Sequence, residues 1–295
     1  MTTEAISERY RQLDSWPLEQ SLATLIDSNR RAIDAVTEAL PALTLAAQGI
    51  ERCLTAGGRL IYLGAGTSGR LALQDAVELL PTFGFTRSLV LLAGGGEAGS
   101  RAQEGAEDDR QAARQAVIKE NIEERDAVLG IAASGRTPYT VAGLEAAGER
   151  GALTIGIANN PGTPLLRAAQ IPILLDSGPE VLAGSTRLAA GTAQKIALNA
   201  LSTAVLVRLG GAYHNLMVGM QATNIKLRSR AVTILTHATG ATDTQAQEAL
   251  EAANWNISEA IVTLGANASP ESARRLLKEH HNHVREALAA ARKGS

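Results

Sequence analysis

With 295 residues, 45% of them hydrophobic and 20% charged, the chain is long enough to bury one large core and a second small one. A formal net charge of -2 and 3% aromatic residues exclude a broad nucleic-acid surface, and a single cysteine, Cys53, excludes an intrachain disulfide or a multi-cysteine zinc site. The opening "MTTEAISERYRQLDSW" has no apolar signal core, and the most apolar helical stretch, Ile196–Val207, falls well short of the ~20 residues a membrane span needs. A cytoplasmic protein with no membrane or nucleic-acid partner is therefore expected.

The first helical pattern runs over Pro17–Ala56. Short β-rich runs follow at Arg59–Gly64, Ser88–Ala93, Ala127–Ala132, Leu153–Ala158 and Ile171–Leu175, with helical patterns near Arg70–Leu80, Ser100–Asn121 and Pro138–Arg150 between them. Runs that are apolar throughout, rather than alternating, suit strands covered on both faces. Their alternation with helices predicts an α/β fold with a parallel sheet. Arg187–Leu209 reads as a long buried helix. From Ala238 onward strand runs cease, Thr242 with Gln245 fits a capping box, and Ser269–Pro270 is a good helix start. The expected division is a helical segment at 1–57, a sheet domain at 58–237 and a small all-α domain of three or four helices at 238–295.

The stretch "YLGAGTSGRLALQDAVELLP" contains G-x-G-x-x-G, a weak signal by itself. A dinucleotide site needs an acid at the end of the next strand to bind a ribose hydroxyl. Here that strand runs into Gly94–Gly96, with Glu97 beyond them, so no dinucleotide cofactor is expected. Thr67 and Ser68, with Gly66, lie where a strand end meets a helix start, a place where amides and hydroxyls converge on one anion. "GIAASGRTPYT" repeats the chemistry with Ser134, Gly135 and Thr137, followed by Pro138. Two such loops at carboxyl ends of strands in one parallel sheet would face one crevice and hold a phosphate without a metal. For either loop alone, helix capping by Ser and Thr is the plainer alternative.

Several other polar residues are candidates. Asp75 and Glu78 share a helix face near the first loop, and a partly buried Glu78 could serve there as proton donor. Glu104, Glu107, Asp108 and Asp109 read as a solvated helix start, where carboxylates favour the positive end of the dipole. Glu180, in a glycine-bounded loop, either reaches a ligand or is a solvated acid. Ser185 and Thr186 are equally caps or ligands, and Lys195 with Asn199 reads as an interior polar pair. His280, His281 and His283 lack a nearby Cys or well-spaced acid, so no metal site is expected.

"RLIYLGAGTSGRLALQDAVELLPTFG", "QEGAEDDR", "GIAASGRTPYTVAGLEAA" and "GPEVLAGSTRLAAGTAQKIALNALST" together resemble the sugar isomerase (SIS) domain of the N-acetylmuramic acid 6-phosphate etherase family. "ATNIKLRSRAVTIL" continues the likeness, and the C-terminal segment resembles that family's small ubiquitin-associated-like (UBA-like) domain. The resemblance covers about Arg59 to the C-terminus and extends to the glucokinase regulatory protein. It implies a flavodoxin-like, doubly wound sheet and a cofactor-free lyase of cell-wall amino-sugar recycling. That lyase takes N-acetylmuramic acid 6-phosphate to N-acetylglucosamine 6-phosphate and D-lactate, by elimination and then hydration. By the family motif, Glu78 matches the proton-donating glutamate and Glu107 the base, while Ser68, Ser134 and Thr137 match phosphate contacts. A homodimer with its site near the subunit interface is implied as well. Glu78 is flanked by Val77 and Leu79–Leu80, where the family carries Ser and then Cys-Pro or Pro-Pro. Ala190 stands where a lysine is usual, and an N-terminal acidic-x-Arg-Asn-Pro signature is absent. Two rival functions use the same pocket: a non-catalytic sugar-phosphate regulator, which needs neither glutamate, and a sugar-phosphate isomerase, which releases no lactate.

Overall fold

The computed structural model describes residues 2–101, 103 and 105–293. Among them, five parallel strands form one sheet: β1 Leu60–Gly64, β2 Ser88–Leu92, β3 Ala127–Ile131, β4 Leu153–Ala158 and β5 Ile171–Leu174. The spatial order is β2-β1-β3-β4-β5, the flavodoxin-like arrangement of a doubly wound sheet. Because the order reverses between β1 and β2 on one side and β3 onward on the other, a crevice opens at the carboxyl ends of β1 and β3. Those two strands pair from Leu60↔Ala127 to Gly64↔Ile131 and are buried at every position.

Successive strand side chains point to opposite faces, which explains the uninterrupted apolar runs. Ile61 and Leu63 join the cluster that includes α6 (Pro138–Glu149). A Cβ on Gly143 of α6 would lie 2.8 Å from Leu63 Cδ2, so glycine lets that helix approach without displacing the Leu63 side chain. Tyr62, on the opposite face, meets α4 (Gly66–Phe83) through Asp75. The sheet is thus covered on both sides.

Ahead of the sheet, the expected helix over 17–56 is three helices: α1 Leu18–Ser28, α2 Arg30–Glu38 and α3 Leu40–Thr55. Asn29 breaks the first by turning its side-chain amide onto the Leu25 carbonyl at 2.9 Å. Pro41, in the first turn of α3, cannot continue α2 because it has no N–H to donate. Helix α3 then packs against β3, β4 and β5.

A helix expected from Ser100 begins only at Arg110 and forms α5, Arg110–Lys119. Glycines in the left-handed region (Gly94 φ 82°, Gly95 φ 71°, Gly105 φ 75°) turn the preceding chain instead. Asp109 caps the helix, accepting from the Ala112 amide at 2.8 Å. Glu104, grouped above with the acidic segment, lies outside the described residues. A short α7, Pro164–Ala168, joins β4 to β5, and α8 is Ala189–Leu206.

The chain divides into two compact units, one of residues 1–76 and 87–202, the other of 77–86 and 203–295. The boundary expected at 237/238 falls inside α9, Ile225–Thr239. In the second unit a hairpin, β6 Ala212–Tyr213 and β7 Leu216–Met217, had no glycine signal in the sequence; His214 supplies the positive φ of 54° that its turn needs. The helices α10 Asp243–Ala252, α11 Ile257–Ala266, α12 Pro270–Glu279 and α13 Val284–Lys293 share an apolar core with α9. Their starts follow the sequence pattern. Thr242 and Gln245 form the reciprocal capping box, and Ser269 accepts from the Ser272 amide.

Candidate functional site

Helix α4 starts at Gly66, whose φ of 54° turns the chain off the end of β1. Gly64 and Gly69 touch across that turn: a Cβ on Gly64 would lie 3.0 Å from the Gly69 Cα. Small residues are therefore required for the strand to pass directly into the helix. Thr67 and Ser68 stand in the first turn of α4, where backbone N–H groups have no intrahelical partner and the helix dipole is positive. Ser68 is buried and Thr67 half-buried. Since both lie within the helix, neither is its N-cap.

The second loop leaves β3 beside the first. Ser134 accepts a hydrogen bond from the Arg136 amide at 3.1 Å, and the Gly135 amide donates to the Ala132 carbonyl at 2.9 Å. Gly135 has φ 63°, and a Cβ there would come within 2.3 Å of the Thr163 hydroxyl. No other residue fits. Thr137 is the N-cap of α6, yet its hydroxyl caps no amide. The structure thus brings Gly66, Thr67 and Ser68 to one side of the sheet's switch point and Ser134, Gly135 and Thr137 to the other. Two helix starts and several hydroxyls lie at the carboxyl ends of adjacent strands, the place where open α/β sheets take their ligands.

Ser185 and Thr186 lie close to this crevice. The Gly191 amide donates to the Thr186 carbonyl at 2.9 Å, and a Cβ on Gly191 would sit 3.7 Å from the Thr67 methyl. Glu180 is not a solvated acid, because it is 1% exposed. Its carboxylate accepts from the Ala189 amide at 3.0 Å and the Ala190 amide at 2.9 Å, so it neutralises the N-terminus of α8. The Ala190 backbone thereby has a defined task, while its buried side chain presents no charge.

The two carboxylates of α4 separate sharply. Asp75 is 2% exposed and fully engaged: it accepts from the Tyr62 hydroxyl at 2.7 Å, from Asn199 at 2.8 Å and from Ser202 at 3.2 Å. Burial first, and then the neighbouring Asp75 charge and hydrogen bond, push the Tyr62 phenol well above its ordinary range. Asn199 is therefore a partner of Asp75 rather than of Lys195. Glu78 is exposed, contrary to the partly buried position expected from its apolar surroundings. Its flanks explain this: Val77 and Leu80 are themselves exposed, at 56% and 43%. Glu78 also stands ten residues beyond Ser68 on α4, about 15 Å along the axis. Glu107 is exposed on a single 3-10 turn, Ala106–Asp108. His280 lies 3.9 Å from Glu286, and no group of three or more metal-ligating side chains occurs among the described residues.

Sequence reasoning missed the buried amides after β4. Asn159 and Asn160 are 0% and 1% exposed and, with Gln194, tie the ends of β3, β4 and β5 to α8. Their signal was present: two adjacent polar residues directly following an apolar strand, in "IGIANNPG".

Comparison with known proteins agrees with this fold. The glucokinase regulatory protein N-terminal SIS domain matches residues 44–148, the SIS domain 110–204 and a UBA-like domain 235–263. A solved structure from E. coli CFT073, in complex with A5P, shares the fold with a TM-score of 0.50 at 17% identity, covering 66% of this chain and 95% of its own. Proteins named N-acetylmuramic acid 6-phosphate etherase are far closer in sequence. The relative from Deinococcus radiodurans is 46% identical over 97% of this chain and 94% of its own. One from Pectobacterium atrosepticum is 45% identical over 94% and 92%, and one from Yersinia pestis 43% over 98% of both. The likeness therefore reaches well upstream of Arg59, where the sequence motifs begin. At this identity and coverage, the chain belongs to the N-acetylmuramic acid 6-phosphate etherase family.

Proposed function

We propose that this protein is a carbon–oxygen lyase that cleaves the D-lactyl ether of N-acetylmuramic acid 6-phosphate. The products are N-acetylglucosamine 6-phosphate and D-lactate, and the setting is the recycling of cell-wall amino sugars. The observation that carries this reading is the pair of hydroxyl-bearing loops at the adjacent carboxyl ends of β1 and β3, in a chain nearly half identical to named etherases. The 6-phosphate is held by the first-turn amides of α4 and α6 together with Ser68, Ser134 and Thr137.

Elimination removes the proton from C2 and expels lactate from C3. The electron pair of the C2–H bond becomes the C2=C3 double bond, and water then adds across it. Glu107 takes the C2 proton and Glu78 protonates the departing lactate oxygen, roles that rest on the motif correspondence. Both side chains are solvent-exposed and so open to a substrate. The active form is a homodimer. Its support is the apolar stripe on α1, where Leu18, Leu22 and Ile26 recur every four residues and are 75%, 51% and 71% exposed.

The test is D-lactate release from N-acetylmuramic acid 6-phosphate by the parent, with Glu78→Gln and Glu107→Gln beside it. Lactate from the parent, reduced by about 10²–10⁴ in each variant with phosphosugar binding retained, is the expected result. No lactate from folded protein that still binds the phosphosugar would remove the etherase reading in favour of a regulator. Aldose–ketose conversion under the same conditions would favour an isomerase.

A further inference from the structure

The hydroxyl loop after β3 is held from an unexpected direction. Asn160, the second residue beyond β4, has all of its side-chain hydrogen-bonding capacity in use. Its Oδ1 accepts from the Thr3 amide at 3.2 Å and the Thr2 hydroxyl at 3.1 Å. Its Nδ2 donates to the Thr3 hydroxyl at 2.8 Å and to the Ala133 carbonyl at 2.9 Å. A backbone N–H on one side and a backbone carbonyl on the other fix which way the amide faces. Thr3 is 0% exposed, so this contact between residues 157 positions apart lies in the interior.

Ala133 immediately precedes Ser134. Its carbonyl receives the Asn160 side chain and the Asn159 amide, the latter at 3.0 Å. The direction of that carbonyl sets the plane of the next peptide, and hence the aim of the Ser134 amide. Other restraints on the loop come from Ala132 and from Leu165, whose amide donates to the Gly135 carbonyl at 3.0 Å. Neither of these fixes the Ala133 carbonyl. The Asn159 amide and the Asn160 side chain do so together, and the rest of the Asn160 side chain is taken up by Thr2 and Thr3.

We propose that Asn160 is a positioning residue for the Ser134–Thr137 loop and that the Thr2–Thr3 segment, locked onto Asn160, sets the affinity for a sugar phosphate. The proposal rests on the phosphate-anchor reading of that loop. An anion held by amides and neutral hydroxyls needs its donors placed within about 0.5 Å, and a loosened loop loses them together. Removing the Thr3 hydroxyl leaves Asn160 Nδ2 half-satisfied in a buried place and frees the amide to rotate away from Ala133.

The experiment compares the parent with Thr3→Val, Thr3→Ser and Asn160→Ala by amide hydrogen exchange of peptide 132–137 and by affinity for N-acetylglucosamine 6-phosphate. Thr3→Val keeps the volume and lies in a turn outside every helix and strand, so it serves as the folded variant should Asn160→Ala unfold. Expected are at least tenfold faster exchange in that peptide for Thr3→Val, an unchanged 65–68 segment, and recovery with Thr3→Ser. Phosphosugar affinity falls about tenfold in step, and in turnover the loss sits in KM, with kcat within twofold. Unchanged exchange in Thr3→Val overturns the positioning role. Faster exchange with unchanged affinity overturns its link to binding while leaving the phosphate anchor intact. A parent that binds no sugar phosphate overturns the anchor itself and the affinity role with it, and exchange still decides the positioning role separately.

Discussion

The two compact units of this chain bury their polar side chains very differently. In the helical unit Ser258 and Glu259 are the buried polar residues among those described, and Glu259 meets a two-pronged Arg274 at 2.8 and 3.1 Å. The rest of that core is written in Ala, Leu, Ile, Val and Met220, with order at the helix ends supplied by local caps. In the sheet unit, Thr3, Ser68, Asp75, Asp126, Asn159, Asn160, Glu180 and Gln194 are all buried. Burying each costs desolvation, which hydrogen bonds offset at Thr3, Asp75, Asp126, Asn159, Asn160 and Glu180, while Gln194 Oε1 has no partner among the described residues. Such a density of bonded polar groups marks a region built to hold backbone in place. Ser68, Asn159 and Asn160 lie at the carboxyl ends of the strands, where the hydroxyl loops are, and Asp126 lies at the amino end of β3. The lesson is one of division: the helical unit is stabilised by packing and capping, the sheet unit by packing plus a long-range polar framework.

The sharpest challenge to this contrast comes from the helical core. Ile261 is 0% exposed in α11, and Ile261→Ala leaves a cavity that costs about 3 kcal/mol. Urea unfolding checks it, and a loss below about 1 kcal/mol would mean the core relaxes and is not tightly packed. Next is the ion pair beneath the sheet, at the amino ends of β1 and β3. Asp126 accepts from the Arg59 guanidinium at 2.6 Å and from the Arg59 and Glu123 amides. Burial pushes the Asp126 carboxyl up, but these bonds outweigh it and hold the group below its ordinary 3.8. Because the folded value is the lower one, the stabilisation is complete above about pH 4 and is lost as pH falls through the folded value. Asp126→Asn therefore costs about 2 kcal/mol at pH 7, with Arg59 partly exposed and screened. The gap between parent and variant narrows in thermal scans as pH falls below about 4, whereas a gap independent of pH would assign the effect to shape and not to charge.

A smaller effect probes the loops themselves. Ser68→Ala and Ser134→Ala each weaken phosphosugar binding about tenfold, or 1.4 kcal/mol, by calorimetry, with little change in thermal midpoint. A large drop in midpoint with unchanged affinity would reassign these hydroxyls to the framework. Smallest is the capping box: Thr242→Ala costs about 1 kcal/mol in the helical unit, and Thr242→Ser recovers most of it. If Thr242→Ala instead altered phosphosugar affinity, the contrast between the two units would fail.

Much of this was legible in the residues. The five strands match their apolar runs to within a residue; the central β1 and β3 are buried at every position and so must be apolar throughout, and the edge strands β2 and β5, only partly covered, remain mostly apolar. Thr242–Gln245 and Ser269–Pro270 announced their helix starts because capping acts within four residues. The breaks at Asn29 and Pro41 were equally local but were hidden by a continuous apolar period on either side. The paired hydroxyl loops were visible as motifs, since each is a strand–turn–helix junction with its own glycine.

What the sequence by itself determined, then, was everything carried by short-range rules: periodicity, caps, glycine turns and the family to which the motifs point. Only the tertiary structure decided which carboxylate of α4 is buried, since Asp75 and Glu78 share a helix face and differ only in what packs on them. It also decided that Glu180 serves the start of α8 and that Asn160 joins Thr3 to Ala133. Those bonds span from nine to 157 residues, and no local period or propensity encodes a partner at such a distance. The chain reaches them only when the parallel sheet, in its 2-1-3-4-5 order, has brought the strand ends together.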